Sequence, residues 1–510
     1  PRDVHSFARP ELARVTHLNL DLRINWEAKS LVGTATYDLE VQEGTEELIL
    51  DTRNLDVLAV TSGEDSLKFS LGEHDPIMGQ PLTIQLKQPA SKVSIAYRTR
   101  PSAAALQWLD PVQTTGKQYP FLFTQGQAIL TRTWLPTQDG PGMRFTYTAN
   151  VETSIPELMV VMSAQNPTEV DASGNYQFRM SQPIPAYLMA LAAGALAFQA
   201  IGERTGVYAE PGVIEAAADE FQDMDNMLYV ERRIMEKLFG ESYAEMFETL
   251  GYQDLEGTLE ELGPQSADTH LKLVMEGRDP DEGMTDIAYE KGYFLLKHIE
   301  TTVGRETFDV FLRQYFDDNA FKTIHTQQFV AYTEEHLIAG DEQMKEELGL
   351  EQWIYQPGLP NTIQKPASER FAQVDQQVED FSGGKAAAQL NTEGWTTHEW
   401  LHFIRHLPED LETEEMTDLD QAFALTKSGN SEILAAWFMH AIAHAYEPAY
   451  PALESFLLRV GRRKFLKPLY TQLARPEDGL QRARDIYTTA RPNYHSVSTG
   501  TIDVILGVES

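Results

Sequence analysis

A chain of 510 residues is too long for one ordinary hydrophobic core, and a composition 42% hydrophobic and 10% aromatic is that of a folded, multi-domain protein. With 77 Asp and Glu against 41 Lys and Arg, the formal charge of −36 repels phosphate backbones and anionic lipid, which argues against nucleic acid or a membrane surface as partner. The lack of cysteine excludes disulfides, thiolate metal sites and thiol nucleophiles, so any metal must be held by His and carboxylates.

No charged leader followed by an apolar run opens the chain at Pro1, and a soluble protein is expected, with the cytoplasm favoured. Period-two alternation then predicts antiparallel strands through residues 1–198. Examples are Leu18, Leu20, Leu22 and Ile24, then Leu82, Ile84 and Leu86, then Phe145, Tyr147, Ala149 and Val151. The stretch from Pro183 to Gly202 imitates a membrane span. Its unbroken apolar part, Ala186 to Phe198, is shorter than the roughly 20 residues a bilayer needs, so a buried strand or core segment is expected.

From Gly212 the period becomes helical. Ile234, Met235, Leu238, Met246 and Leu250 suit amphipathic helices in a middle domain, 199–358. A Pro-bearing break at Gln356–Ser368 follows, with the linker proper at 359–368. The remainder, 369–510, reads as a helical bundle or a solenoid of paired helices. The fold class expected is multi-domain α+β.

Several local stretches resemble the gluzincin aminopeptidase family. They are TQGQA (Thr124–Ala128), RTWLPTQDGP (Arg132–Pro141), PIPAYLMAL, YEKGYFLL (Tyr289–Leu296), WIYQPGLP (Trp353–Pro360) and GRRKFLKPLY (Gly461–Tyr470). They stand in the family's order and touch all three of its domains. The resemblance implies a β-sheet domain, a thermolysin-like zinc domain and a helical C-terminal domain.

It also implies two motifs, G-x-M-E-N and H-E-x-x-H-x18-E, between PIPAYLMAL and YEKG, and neither is there. Sequence up to Leu228 resembles the family stretch before the first motif, and sequence from Tyr229 resembles the stretch after the third zinc ligand. The catalytic segment is absent at that junction, leaving a truncated middle domain. Between Phe198 and Tyr289 the one histidine is His270. Exposure of Ile234, Leu238 and Phe239 is expected where the missing segment would have covered them.

The spelling H-E-x-x-H does occur, far downstream, as His398, Glu399 and His402. Eighteen intervening residues after His402 lead to Gln421, and the alternative x-x-G-x-x-H continuation meets Arg405 and Pro408. At about 100° per residue, Trp400, Leu401, Phe403, Ile404 and Leu407 oppose the His pair, so the imidazoles and Glu399 are expected to face water. A zinc hydrolase built on His398, Glu399 and His402 is the least favoured reading. No trio of side chains is expected to converge on a metal, and no cofactor is predicted, although the family uses zinc. His440 and His444 share the i, i+4 spacing and are expected to pack or cap.

By resemblance, Tyr289 matches the tyrosine that stabilises the oxyanion of the tetrahedral intermediate. Gln127 and Ala128 match a cleft loop, and Arg462 and Lys464 the basic pair that holds a peptide carboxylate. Arg462 and Lys464 could equally pair with surface carboxylates or cap a helix C-terminus. The expected function is an aminopeptidase lineage unable to bind catalytic zinc or hydrolyse peptides. The alternative is a non-catalytic peptide-binding or scaffold protein, with short peptides as weak partners.

Overall fold

A computed structural model describes residues 3–87, 91–203, 205–220, 231–494 and 496–508; the junction between Leu228 and Tyr229 lies outside the described residues. The chain divides into two compact units: Pro1–Met227 with Leu255–Ile363, and Leu228–Asp254 with Gln364–Ser510.

The first unit is built on a seven-stranded sheet. Its main strands are β1 (Ala13–Asn25), β2 (Ser30–Val41), β3 (Lys92–Arg98), β4 (Arg144–Thr153) and β5 (Asn175–Pro185), lying side by side in the order β5, β4, β1, β2, β3. Leu18, Leu20, Leu22 and Ile24 are buried while Asp21, Arg23 and Asn25 face outward, because alternate side chains of a strand leave on opposite faces. Neighbours pair antiparallel except β1 with β4, which run parallel. The stretch joining those two is far too long for a hairpin and brings the chain back in the same direction.

RTWLPTQDGP is the polar hub of this unit. The guanidinium of Arg132 is fully buried. It donates to the Asp139 carboxylate at 3.1 Å and to the carbonyls of Met78, His5 and Asp139 at 2.8, 2.7 and 2.9 Å. Asp51 accepts from the Asp139 backbone N–H at 2.9 Å and from the Ser6 hydroxyl at 2.6 Å. Gln138 takes the N–H of Val15 at 3.0 Å and donates to the carbonyl of Ala13 at 2.8 Å. It thereby satisfies β1 beside the irregularity between Val15 and His17. Burial pushes the Asp139 carboxyl up to about 6, even against Arg132.

The apolar stretch resolves into a short turn, Ala186–Leu188, and the strands Leu191–Gly194 and Ala197–Ala200. Among the described residues no helix is long and apolar enough to cross a membrane.

After a short helix at Ile214–Glu220 come α1 (Glu231–Phe239) and α2 (Glu241–Leu262), and the division between the units falls inside α2. Leu238 and Phe239 are 43% and 48% exposed, as the sequence leads one to expect, whereas Ile234 is half-buried. In the first unit, a π-helical turn, Ile287–Lys291, leads into α3 (Gly292–Val303). Lys291 is fully buried there, donating to the carbonyls of Thr269 and Gln356 at 2.8 and 3.1 Å. Its surroundings hold the ammonium at about 8, because burial disfavours the charged form.

The second unit is helical. It includes α4 (Glu369–Ser382), α5 (Thr397–Arg405), α6 (Ser431–Ala443) and α7 (Arg463–Leu473). Phe403, Ile404, Trp437, Phe438, Leu466 and Tyr470 lie in its core.

Candidate functional site

The H-E-x-x-H helix, α5, does not present its histidines to water. His402 is 3% exposed and Glu399 4%, which corrects the orientation derived from periodicity. The arc of Phe403 and Ile404 joins the core, with α6 packed alongside, as expected. The opposite arc is covered too, by α4 and the first turns of α2. The His402 ring stacks on Phe371 at 4.0 Å, and His398 packs against Phe247 at 4.2 Å and Tyr243 at 5.3 Å. A helix sandwiched on two sides has no free polar face, and periodicity within one helix carries no information about its second neighbour.

Glu399 and His402 on this arc are engaged, while the buried Nδ1 of His398 has no hydrogen-bond partner among the described residues. Glu399 pairs with Arg370 and accepts the Thr396 backbone N–H at 2.8 Å, forming a capping box at the start of α5. His402 Nε2 lies 2.7 Å from Asp375 Oδ1, and its Nδ1 lies 3.1 Å from Gln253 Nε2. Burial, with the neighbouring His406, depresses His402 to about 4, so it is neutral at pH 7. Glu399 is thus a helix cap, and the zinc-hydrolase reading of His398, Glu399 and His402 fails on geometry.

One expectation is overturned in detail. Asp375, His402 and His406 each bring a ligand atom within 4.8 Å of the others, so a trio of donors does converge. His398 is not among them. Asp375 lies on a different helix from the two histidines, and no spacing rule links it to them. His440 and His444 pack as expected: His440 is half-buried, and His444 hydrogen-bonds the carbonyls of His440 and Glu409 at 2.8 and 2.9 Å.

The catalytic zinc that the resemblance implies does not fit the middle region. His298 stacks on Trp353 and bonds the Glu347 carbonyl at 3.0 Å; His325 caps the helix Thr326–Thr333; His336 stacks on Tyr332. Neither these nor His270 converges with two further donors among the described residues. A hydrolytic zinc needs three converging ligands and an open position.

The other predicted residues fall in two places. In the first unit, Tyr289 sits on the π-helical turn and is 60% exposed. Gln127 is exposed and Ala128 half-buried, the two joined by a cis peptide bond. Gly126 precedes them because a Cβ there would come within 2.8 Å of Thr131 Oγ1 and the Tyr187 carbonyl. In the second unit, Arg462 and Lys464 are both exposed at the start of α7, over the Phe465 ring at 5.7 and 5.8 Å. Lys464 also pairs with Glu432 at 3.0 Å. Arg462 is the N-cap of α7, so the pair marks a helix beginning and not a C-terminal cap.

The profile of the peptidase M1 N-terminal domain matches residues 15–188, that of the peptidase family M1 domain residues 227–353, and that of the leukotriene A4 hydrolase C-terminal domain residues 395–506. The chain is similar to leucine aminopeptidase 2 of Yarrowia lipolytica, 27% identical over 97% of this chain and 92% of the relative. It is also similar to leukotriene A-4 hydrolase of Xenopus laevis, at 25% identity over 97% and 98%. Among solved structures, the fold matches yeast LTA4 hydrolase in complex with bestatin. That match has a TM-score of 0.89 and 23% identity, covering 100% of this chain and 98% of the other. The alignment to the Yarrowia lipolytica enzyme runs over 601 positions. Set against 510 residues, that leaves at least 91 positions (601 − 510) that this chain cannot fill.

Proposed function

This chain belongs to peptidase family M1, and from that premise we propose that it is a non-hydrolysing member that retains cations suited to a peptide's carboxylate. The observation that carries the reading is the donor set. In the middle region, where the family places its zinc, the described histidines stand apart, each with its own partner or surroundings. Without a metal held from three sides there is no hydroxide near neutral pH to attack the scissile carbonyl, and Tyr289 has no oxyanion to stabilise.

What remains is binding. Arg462 and Lys464 stand at the N-terminal end of α7, where the helix dipole already disfavours cations. Two cations at a positive helix end make an anion site, suited to a peptide carboxylate. The relatives' names carry an aminopeptidase activity; in this chain that ancestry supplies the gripping groups and not the reaction.

The test is hydrolysis of leucyl-p-nitroanilide by purified protein, with and without added zinc. No turnover is expected in either case. Turnover that a chelator abolishes and that Tyr289→Phe removes would overturn the proposal.

A further inference from the structure

We propose that Asp375, His402 and His406 form a divalent-cation site, matched to zinc, that clamps α4 to the end of α5. The three ligand atoms lie within 4.8 Å of one another, and the two histidines stand at i and i+4, one turn apart with ring centroids 4.0 Å from each other.

Tautomers favour the site. His406 Nδ1 is 2.7 Å from the carbonyl of His402, an acceptor only, so Nδ1 carries the proton and Nε2 keeps its lone pair. A backbone carbonyl behind a ligating imidazole is the usual way to fix that tautomer. His402 has the same arrangement available. The Oε1 of Gln253 is buried without a hydrogen-bond partner among the described residues, while its Nε2 faces His402 Nδ1 at 3.1 Å. A half-turn of that amide lets Gln253 Oε1 accept from a His402 Nδ1–H and leaves the lone pair of His402 Nε2 toward the Asp375 carboxylate. Two acceptors facing each other are bridged by a shared proton or by a bound cation, and the second histidine beside them suits the cation.

Geometry permits the ion. Tetrahedral zinc at 2.0–2.1 Å from each ligand sets neighbouring donors about 3.3 Å apart. The Asp375 side chain is 52% exposed and can withdraw from its 2.7 Å contact with His402 to make room. Nitrogen donors select zinc over magnesium and calcium. Arg405, the nearest cation in sequence, is neutralised by Asp254 at 3.0 Å. Glu399 is held by Arg370 and the cap, so the site lacks a general base and its role is to fasten helices.

The full-length protein is titrated with zinc against a chromophoric chelator, with melting followed in parallel. The wild type should bind at micromolar free zinc and melt higher with it. His406→Gln and Asp375→Asn, both at exposed positions that folding tolerates, should each weaken binding at least tenfold and remove the thermal shift. His398→Gln should change neither. Unaltered affinity in both site variants, loss of affinity in His398→Gln equal to theirs, or no binding at micromolar zinc would overturn the site. Peptide hydrolysis is read separately, so this result and that of the proposed function stand or fall apart.

Discussion

Glu399 commits one carboxylate oxygen to Arg370 and the other to the Thr396 backbone N–H at 2.8 Å. A general base needs a free lone pair facing the water it activates, and this carboxylate is committed on both oxygens. Glu399→Ala should therefore act on stability alone. It removes a capping interaction and leaves Arg370 without its partner, at a cost of about 2 kcal/mol to the helical unit. Chemical denaturation checks the loss. Any change in aminoacyl-nitroanilide hydrolysis in that variant would contradict the assignment.

Buried Lys291 gives a pH signature. Unfolded, it keeps its proton up to its ordinary value near 10.5, whereas in the fold it loses the proton at about 8. Between those values the unfolded state binds more protons, so stability rises with pH across that window; below 8 both states are charged and the burial penalty is fully present. Lys291→Met removes the titrating group, so its stability should run flat where the wild type gains on the order of 2 kcal/mol between pH 8 and 10. Urea midpoints at several pH values provide the comparison.

Charge reversal at α7 tests peptide binding. Lys464 already answers to Glu432, so Arg462 carries more of the free positive field. Arg462→Glu should abolish calorimetric heat with a tripeptide, while Lys464→Ala weakens it by a few-fold. A tripeptide amide, lacking the carboxylate, should bind neither form. Equal heats for acid and amide would remove the carboxylate from the account.

Melting should not be a single event. Leu238 and Phe239 are exposed on α1, and Val310 and Phe321 are exposed in the first unit at 69% and 61%. Apolar surface of this kind is missing cover, and regions thinly buried open before the rest. Differential scanning calorimetry should resolve at least two transitions. Leu238→Lys should leave the transitions within about 0.5 kcal/mol while reducing aggregation. One sharp transition for the whole chain would refute the uncoupling.

Much of the fold was legible because period and punctuation are local. The alternation of Leu18, Leu20, Leu22 and Ile24 predicts β1, and the break at Gln356–Ser368 precedes α4. The site was legible only in part, since sites are made by distant residues. Nothing near His402 announces that Asp375 on α4 and Gln253 on α2 will meet its two ring nitrogens. Lys291 of YEKG carries no sign of its burial in the sequence, because a lysine reads as surface until its packing is seen. The orientation of His402 is hidden from the sequence for the related reason that one helix can be covered twice.

Arg132 has one further implication. Its guanidinium ties the backbone carbonyls of His5, Met78 and Asp139 to the Asp139 carboxylate without touching any reacting atom. A hallmark of that sort is maintained by the need to stand upright, whatever trade the molecule follows. The R-T-W-L-P-T-Q-D-G-P stretch therefore reports how this unit stands upright and says nothing of the trade the molecule follows.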